Sequence, residues 1–167
     1  MRYTPDRLFR SFRTELPIIT ETVDKLTSFA DSFRLRRCLV VAQFFYEWDK
    51  SVKPSQPYLF RLKSNALFAL AGIYKEFPDP ATGKPILRFV ILTTAANSVV
   101  SPVHPDRMGA ILRREHEATW LNPDIVEPEK LRPLLTPYPA DEMECYPVGR
   151  AVGKNTNDNP ELIKPLI

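Results

Sequence analysis

Glycine is scarce in this chain, at five residues in 167. That scarcity argues against a glycine-rich phosphate-cradling loop, which needs several residues free of Cβ sterics in succession. Cysteine and histidine are scarcer still, two of each. There is no Cys-x-x-Cys pair, and His104 and His116 are too far apart to form a local ligand pair, so neither a structural metal nor a cofactor is expected. Cys38 and Cys145 could pair in principle, but two cysteines in a chain of this character read as free thiols. No apolar run approaches membrane-spanning length. The N-terminus is basic but has no apolar segment of the signal-peptide kind, so a cytoplasmic location is the expectation. Nor is there a strong excess of one charge: the formal net charge is +3. That balance permits nucleic-acid binding without implying it.

Proline, by contrast, is abundant, with 17 residues. It argues for many rigid loops and against long helices. The length suits one domain with a genuine core. Arginines cluster at Arg2, Arg7, Arg10 and Arg13, at Arg34, Arg36 and Arg37, and at Arg113 and Arg114. Such clusters either hold phosphates through forked donors or form solvated faces.

The local pattern predicts short elements. Helical segments are expected at Asp6 to Glu15, Thr27 to Phe33, Glu115 to Leu121 and Pro128 to Leu135. Strands are expected at Cys38 to Trp48, Tyr58 to Leu62, Ala66 to Lys75, Ile86 to Thr94, Met108 to Leu112 and Tyr146 to Val152. Hairpin-linked strands with few helices favour an α+β domain built on a mainly antiparallel, barrel-like sheet with short peripheral helices.

The most informative fragment is Phe44-Phe45-Tyr46-Glu47-Trp48. It sets a carboxylate within an aromatic, apolar run. Burial there raises a carboxyl pKa and poises it for proton transfer, whereas a solvent-facing Glu on an alternating strand is the plainer reading. The fragment belongs to an ordered series. Arg36-Arg37-Cys38-Leu39-Val40 precedes it, and Gln56-Pro57-Tyr58 and Ala71-Gly72-Ile73-Tyr74 follow. Then come Ile91-Leu92-Thr93-Thr94-Ala95-Ala96-Asn97 and Val103-His104-Pro105-Asp106-Arg107-Met108. Gly149-Arg150-Ala151-Val152-Gly153 and Asn157-Asp158-Asn159-Pro160-Glu161-Leu162-Ile163 close it.

Joint order and spacing make this series resemble the SRAP family, the SOS response-associated peptidase-like proteins. The resemblance runs from about Thr20 to the C-terminus and implies an SRAP-like fold and a partner, single-stranded DNA carrying abasic sites. It assigns Glu47 and His104 to catalytic acid/base work beside the abasic sugar. It implies DNA contacts at Trp48, Thr94, Asn97, Arg107 and Arg150. Trp48 offers a stacking face or serves as a core aromatic. Thr93, Thr94 and Asn97 bond phosphate or sugar oxygens, or cap the turn that follows. Gly109 stands where the family usually has proline.

The family's nucleophile is a cysteine directly after the initiator Met, in Met-Cys-Gly-Arg-Tyr. This chain reads Met1-Arg2-Tyr3-Thr4-Pro5-Asp6. The stretch Ile18-Ile19-Thr20-Glu21-Thr22 resembles the end of the family's Asn-Ala-Arg-x-Glu-Thr motif, with Pro17 and Ile19 where Asn and Arg would be. The expectation is a single SRAP-like domain over residues 1–167, shortened between about 16 and 20 and impaired in the covalent step. The chain is then an altered or incomplete version of an active enzyme, a crosslinking-dead relative that binds single-stranded DNA, or a partner-binding remnant with no DNA role.

Overall fold

The computed structural model describes residues 19–166. The expected helix at Asp6 to Glu15 and the departure at Pro17 lie outside them. Among these described residues, nine strands form three antiparallel sheets. The first joins β1 (Arg37–Ala42), β4 (Phe68–Pro78) and β5 (Pro85–Ile91) in the order β1-β4-β5, with β8 (Ile111–Leu112) also pairing with β4. The second has the order β2-β3-β9: Phe44–Asp49, Gln56–Leu62 and Met143–Pro147. The third is the hairpin of β6 (Thr93–Ala95) and β7 (Arg107–Gly109). The helices are short: α1 (Ala30–Leu35), α2 (Arg114–Leu121) and α3 (Pro128–Leu131), the last running into a 3-10 turn at Arg132–Leu135. The antiparallel α+β class is as the sequence implies, but the sheets do not close into one barrel.

Three runs that read as single strands are each broken at one residue. Cys38 to Trp48 breaks at Gln43, Ile86 to Thr94 at Leu92, and Met108 to Leu112 at Ala110. At each break the chain passes from one sheet to another. Leu92 and Ala110 join Ala71 in a ring of backbone hydrogen bonds. Leu92 N–H donates to Ala71 O (2.9 Å), Ala110 N–H to Leu92 O (2.9 Å), and Ala71 N–H to Ala110 O (2.8 Å). All three residues have no exposed surface. The ring satisfies backbone groups that a strand break would otherwise bury unpaired. The last expected strand also moves. Pairing runs over Met143–Pro147, and Arg150–Gly153 is a 3-10 turn.

β4 explains where the core sits. Its residues Phe68 to Ile73 are buried without interruption, because both of its faces are covered. Ala71 and Ile73 face a cluster with Val23, Phe29, Phe33 and Trp120, packed among the helices. Phe68 and Leu70 face a second cluster with Phe60, Val100, Val103, Met108 and Met143, packed against β3. Alternation along one strand thus serves two cores. Each fully buried large side chain contributes about 1.5–3 kcal/mol by leaving water.

Arg37 ties the helices to the sheet from within the core, at 8% exposure. Its guanidinium donates to Phe33 O (3.1 Å) and Arg34 O at the end of α1. It also donates to Trp120 O (2.5 Å) and Asn122 O (2.6 Å) at the end of α2, and to Ile125 O (2.9 Å). Helix C-termini present unpaired carbonyls and partial negative charge, so a cation there satisfies both. No helix among the described residues is long and apolar enough to cross a membrane.

Candidate functional site

Strand alternation divides β2 into two faces. Phe45 and Glu47 point one way, and Phe44, Tyr46 and Trp48 the other. Phe45 stacks on Phe60 with ring centroids 5.1 Å apart and an interplanar angle of 10°, which anchors the first face on the second core. Glu47 lies two residues further along that face, half-buried at the core's rim, opposite Tyr58 of β3.

His104 arrives from a different part of the chain but from the same core. The turn that carries it closes through Val103 N–H to Val100 O (3.0 Å) and His104 N–H to Val100 O (2.9 Å). Val100 and Val103, at 0% and 8% exposure, seat that turn in the cluster that holds Phe45. Shared packing therefore places the imidazole near enough for its charge to act on the carboxyl. Burial pushes the Glu47 pKa up, and the charge of His104, then that of Lys50, pulls it partly back. His104 Nδ1 is buried without a hydrogen-bond partner among the described residues, a polar atom that a ligand would satisfy.

Trp48 falls on the opposite face from Glu47, its ring 6.5 Å from that of Tyr46. The period of two along a strand separates these adjacent side chains. Thr94 is closed off, at 3% exposure within the β6–β7 hairpin. Asn97 is fully engaged. Its Oδ1 accepts from Val99 N–H (3.1 Å) and Val100 N–H (3.0 Å), and its Nδ2 donates to Tyr138 O (2.8 Å) and Met143 Sδ (3.2 Å). It builds the His104 turn and locks it to the core.

Arg107 opens β7. Its guanidinium donates to both carboxylate oxygens of Glu21 (3.1 and 2.9 Å), to Thr93 Oγ1 (3.4 Å) and to Thr93 O. Arg150 is exposed and donates to Pro54 O (3.1 Å) and Ser55 O (3.3 Å), holding the loop between β2 and β3. That loop begins with an Asx turn, in which Asp49 Oδ1 accepts from Ser51 N–H (2.8 Å) and Ser51 Oγ (2.6 Å).

Two charged neighbours escaped the sequence reading. Lys50 is near enough to act on Glu47, and Glu21 partners Arg107. Lys50 was legible only as the second residue after Trp48, and Glu21 only as part of the stretch Ile18-Ile19-Thr20-Glu21-Thr22. Both thiols are half-buried, and burial pushes their pKa values up. No group of three or more His, Cys, Asp or Glu side chains among the described residues is arranged to hold a metal ion. A shallow indentation lined by Ser28, Ser32, Tyr74 and Lys75 includes none of the candidate residues.

Comparison with known proteins finds relatives for the chain. Residues 16–155 match the family described as SOS response associated peptidase (SRAP). Abasic site processing protein YoqW of Bacillus subtilis is 41% identical over 145 residues, covering 86% of this chain and 64% of that protein. Abasic site processing protein HMCES of Gallus gallus is 29% identical over 150 residues, covering 78% of this chain and 44% of that protein. The chain thus spans less than two thirds of the length of these relatives. An X-ray structure of a protein from Bacteroides thetaiotaomicron superposes with a TM-score of 0.84 at 27% identity, covering 99% of this chain and 72% of that one.

Proposed function

Since this chain belongs to the SOS response associated peptidase family, we propose that it acts on abasic sites in single-stranded DNA, with Glu47 and His104 as the proton-transfer pair beside the abasic sugar. What supports the reading is that His104, on a turn seated in the core that holds Phe45, is near enough for its charge to act on the half-buried Glu47. Relatives named as abasic site processing proteins support the choice of lesion. An abasic deoxyribose is a cyclic hemiacetal. Opening it to the aldehyde requires a base to take the proton of the anomeric hydroxyl and an acid to give one to the ring oxygen. A carboxyl whose pKa is raised by burial retains its proton closer to neutrality and serves as the acid. The imidazole of His104 takes the hydroxyl proton.

The covalent step of the family joins the aldehyde to an α-amine and a thiol on one residue. Neither Cys38 nor Cys145 offers an α-amine, and burial holds both thiols in the protonated form. The residues described here therefore recognise and open the sugar without themselves forming the adduct. Trp48, on the outer face of β2, stacks a base of the strand flanking the lesion. Arg150 and Lys50 present positive charge along the loop between β2 and β3. The setting is the cytoplasmic response to DNA damage.

The test is a single-stranded oligonucleotide with one abasic site, compared with the intact strand and with the abasic duplex. Wild type should prefer the abasic single strand and speed the trapping of its aldehyde by an aminooxy probe. Glu47→Gln and His104→Gln should each lower that rate by about a hundredfold while leaving strand binding intact. Trp48→Ala should weaken binding by about 1–3 kcal/mol and leave the pH profile unchanged. Equal binding to abasic and intact strands by wild type would sink the reading.

A further inference from the structure

The Arg107–Glu21 pair has the geometry of a ligand complex. Two guanidinium nitrogens meet two carboxylate oxygens at 3.1 and 2.9 Å. The same fork binds a phosphate equally well, because both anions offer two oxygens at matching separation. The guanidinium is aimed from behind, by Thr93 Oγ1 on Nε and by the Thr93 carbonyl. Its forward edge is therefore preset and does not depend on Glu21. The arginine side chain is 17% exposed and the glutamate 56%, so the outer partner is the carboxylate.

The pair is also redundant as a structural tie. The segment at 19–22 is already attached to β6 by Thr20 N–H to Thr93 O (3.0 Å) and by the bridge between Ile19 and Thr93. It closes on itself through Val23 N–H to Ile19 O (3.0 Å). Thr20, at 5% exposure, donates its hydroxyl to Glu21 Oε2 (3.0 Å) and steadies the carboxylate. We infer that Glu21 occupies the seat of a phosphate on Arg107, so that this arginine binds an anion only by exchanging its own carboxylate partner. The consequence is a threshold. A phosphate held by further contacts on the same strand displaces Glu21, and an isolated anion does not. In its DNA aspect the inference rests on the function proposed above.

The experiment has two arms and four variants of the whole chain: Glu21→Gln, Glu21→Asp, Arg107→Gln and the Glu21→Gln/Arg107→Gln double variant. In the first arm, inorganic phosphate is titrated while the Arg107 side-chain Nε–H resonance is followed by NMR, or bulk phosphate binding is followed where Arg107 is absent. Glu21→Gln should bind phosphate at least fivefold more tightly than wild type. Glu21→Asp keeps the charge and should stay near wild type. The gain should vanish in the double variant. No gain, an equal gain in Glu21→Asp, or a gain that survives loss of Arg107 would each overturn the inference. Should Glu21→Gln melt below the assay temperature, Glu21→Ser takes its place.

In the second arm, Glu21→Gln should bind a single-stranded oligonucleotide more tightly. Its log affinity should fall more steeply with log salt, by about 0.7 for one added phosphate contact. A phosphate gain without DNA binding by any variant would overturn the proposed function and uphold the inference.

Discussion

At the scale of single residues, Glu47 shows burial acting on a titratable group. Burial at the rim of the second core raises its pKa above the ordinary 4.5, and His104 and Lys50 offset only part of that rise. The folded chain thus holds the Glu47 proton more tightly than the unfolded chain does. Below about pH 4.5 the group is neutral in both states and costs nothing. As pH rises through the window between 4.5 and the raised folded value, the unfolded chain ionises first, and stability is lost. Glu47→Gln should therefore raise Tm at pH 7 relative to wild type, and the difference should disappear at pH 4. Thermal melts at the two pH values check this. A lower Tm for the variant at pH 7 would mean that attraction to His104 and Lys50 outweighs desolvation. Residue types were legible in the sequence here, because a Glu among aromatics and a His among prolines are conspicuous. The engagement of Asn97, the enclosure of Thr94 and the pairing of Arg107 with Glu21 were not, because each depends on an atom from a distant segment.

Among the elements, the β6–β7 hairpin shows how tightly the sheets meet. Gly109 pairs with Thr93, and a Cβ built on it would lie 2.7 Å from Leu70 Cδ2. Leu70 is 6% exposed in the second core, so its side chain has little space into which to yield. Gly109→Ala should cost about 1–3 kcal/mol through overpacking, measured by urea unfolding. Leu70→Ala should itself destabilise, yet the double variant should lose less than the sum of the two. Strict additivity would show that the contact is not the source of the cost. Element types were readable from hydrophobic runs, while the breaks at Gln43, Leu92 and Ala110 were not. Strand-type patterning runs on past each break, so the sequence looks continuous whichever sheet each half joins.

Across the whole molecule, the C-terminal segment straps the outer face of the β2-β3-β9 sheet. Tyr46 and Tyr146 flank Leu59 in register and donate their hydroxyls to Leu162 O (3.3 Å) and Ile163 O (3.0 Å). Val148 and Pro165 form a bridge, and Leu166 N–H donates to Pro147 O (2.9 Å). Leu59 is 1% exposed beneath this strap. Tyr46→Phe and Tyr146→Phe should each cost about 0.5–1.5 kcal/mol. Removing residues 159–167 should cost more than both together, because it also uncovers Leu59, worth about 1.5–3 kcal/mol. Urea unfolding of the three variants tests the order. A truncated chain as stable as the tyrosine variants would show that the strap adds no burial.

The sequence by itself determined the α+β class, the approximate place of most strands, the family resemblance and the identity of Glu47 and His104 as the chemically distinctive residues. These follow from local pattern and from residue types that stand out in their surroundings. Only the tertiary structure decided that the strands form three sheets and no closed barrel, that Asn97 is spent on the His104 turn and the Tyr138 carbonyl, and that Arg107 already carries a carboxylate. The physical reason is common to all three. Periodicity reports whether a side chain is buried, whereas packing between distant segments decides which neighbour buries it.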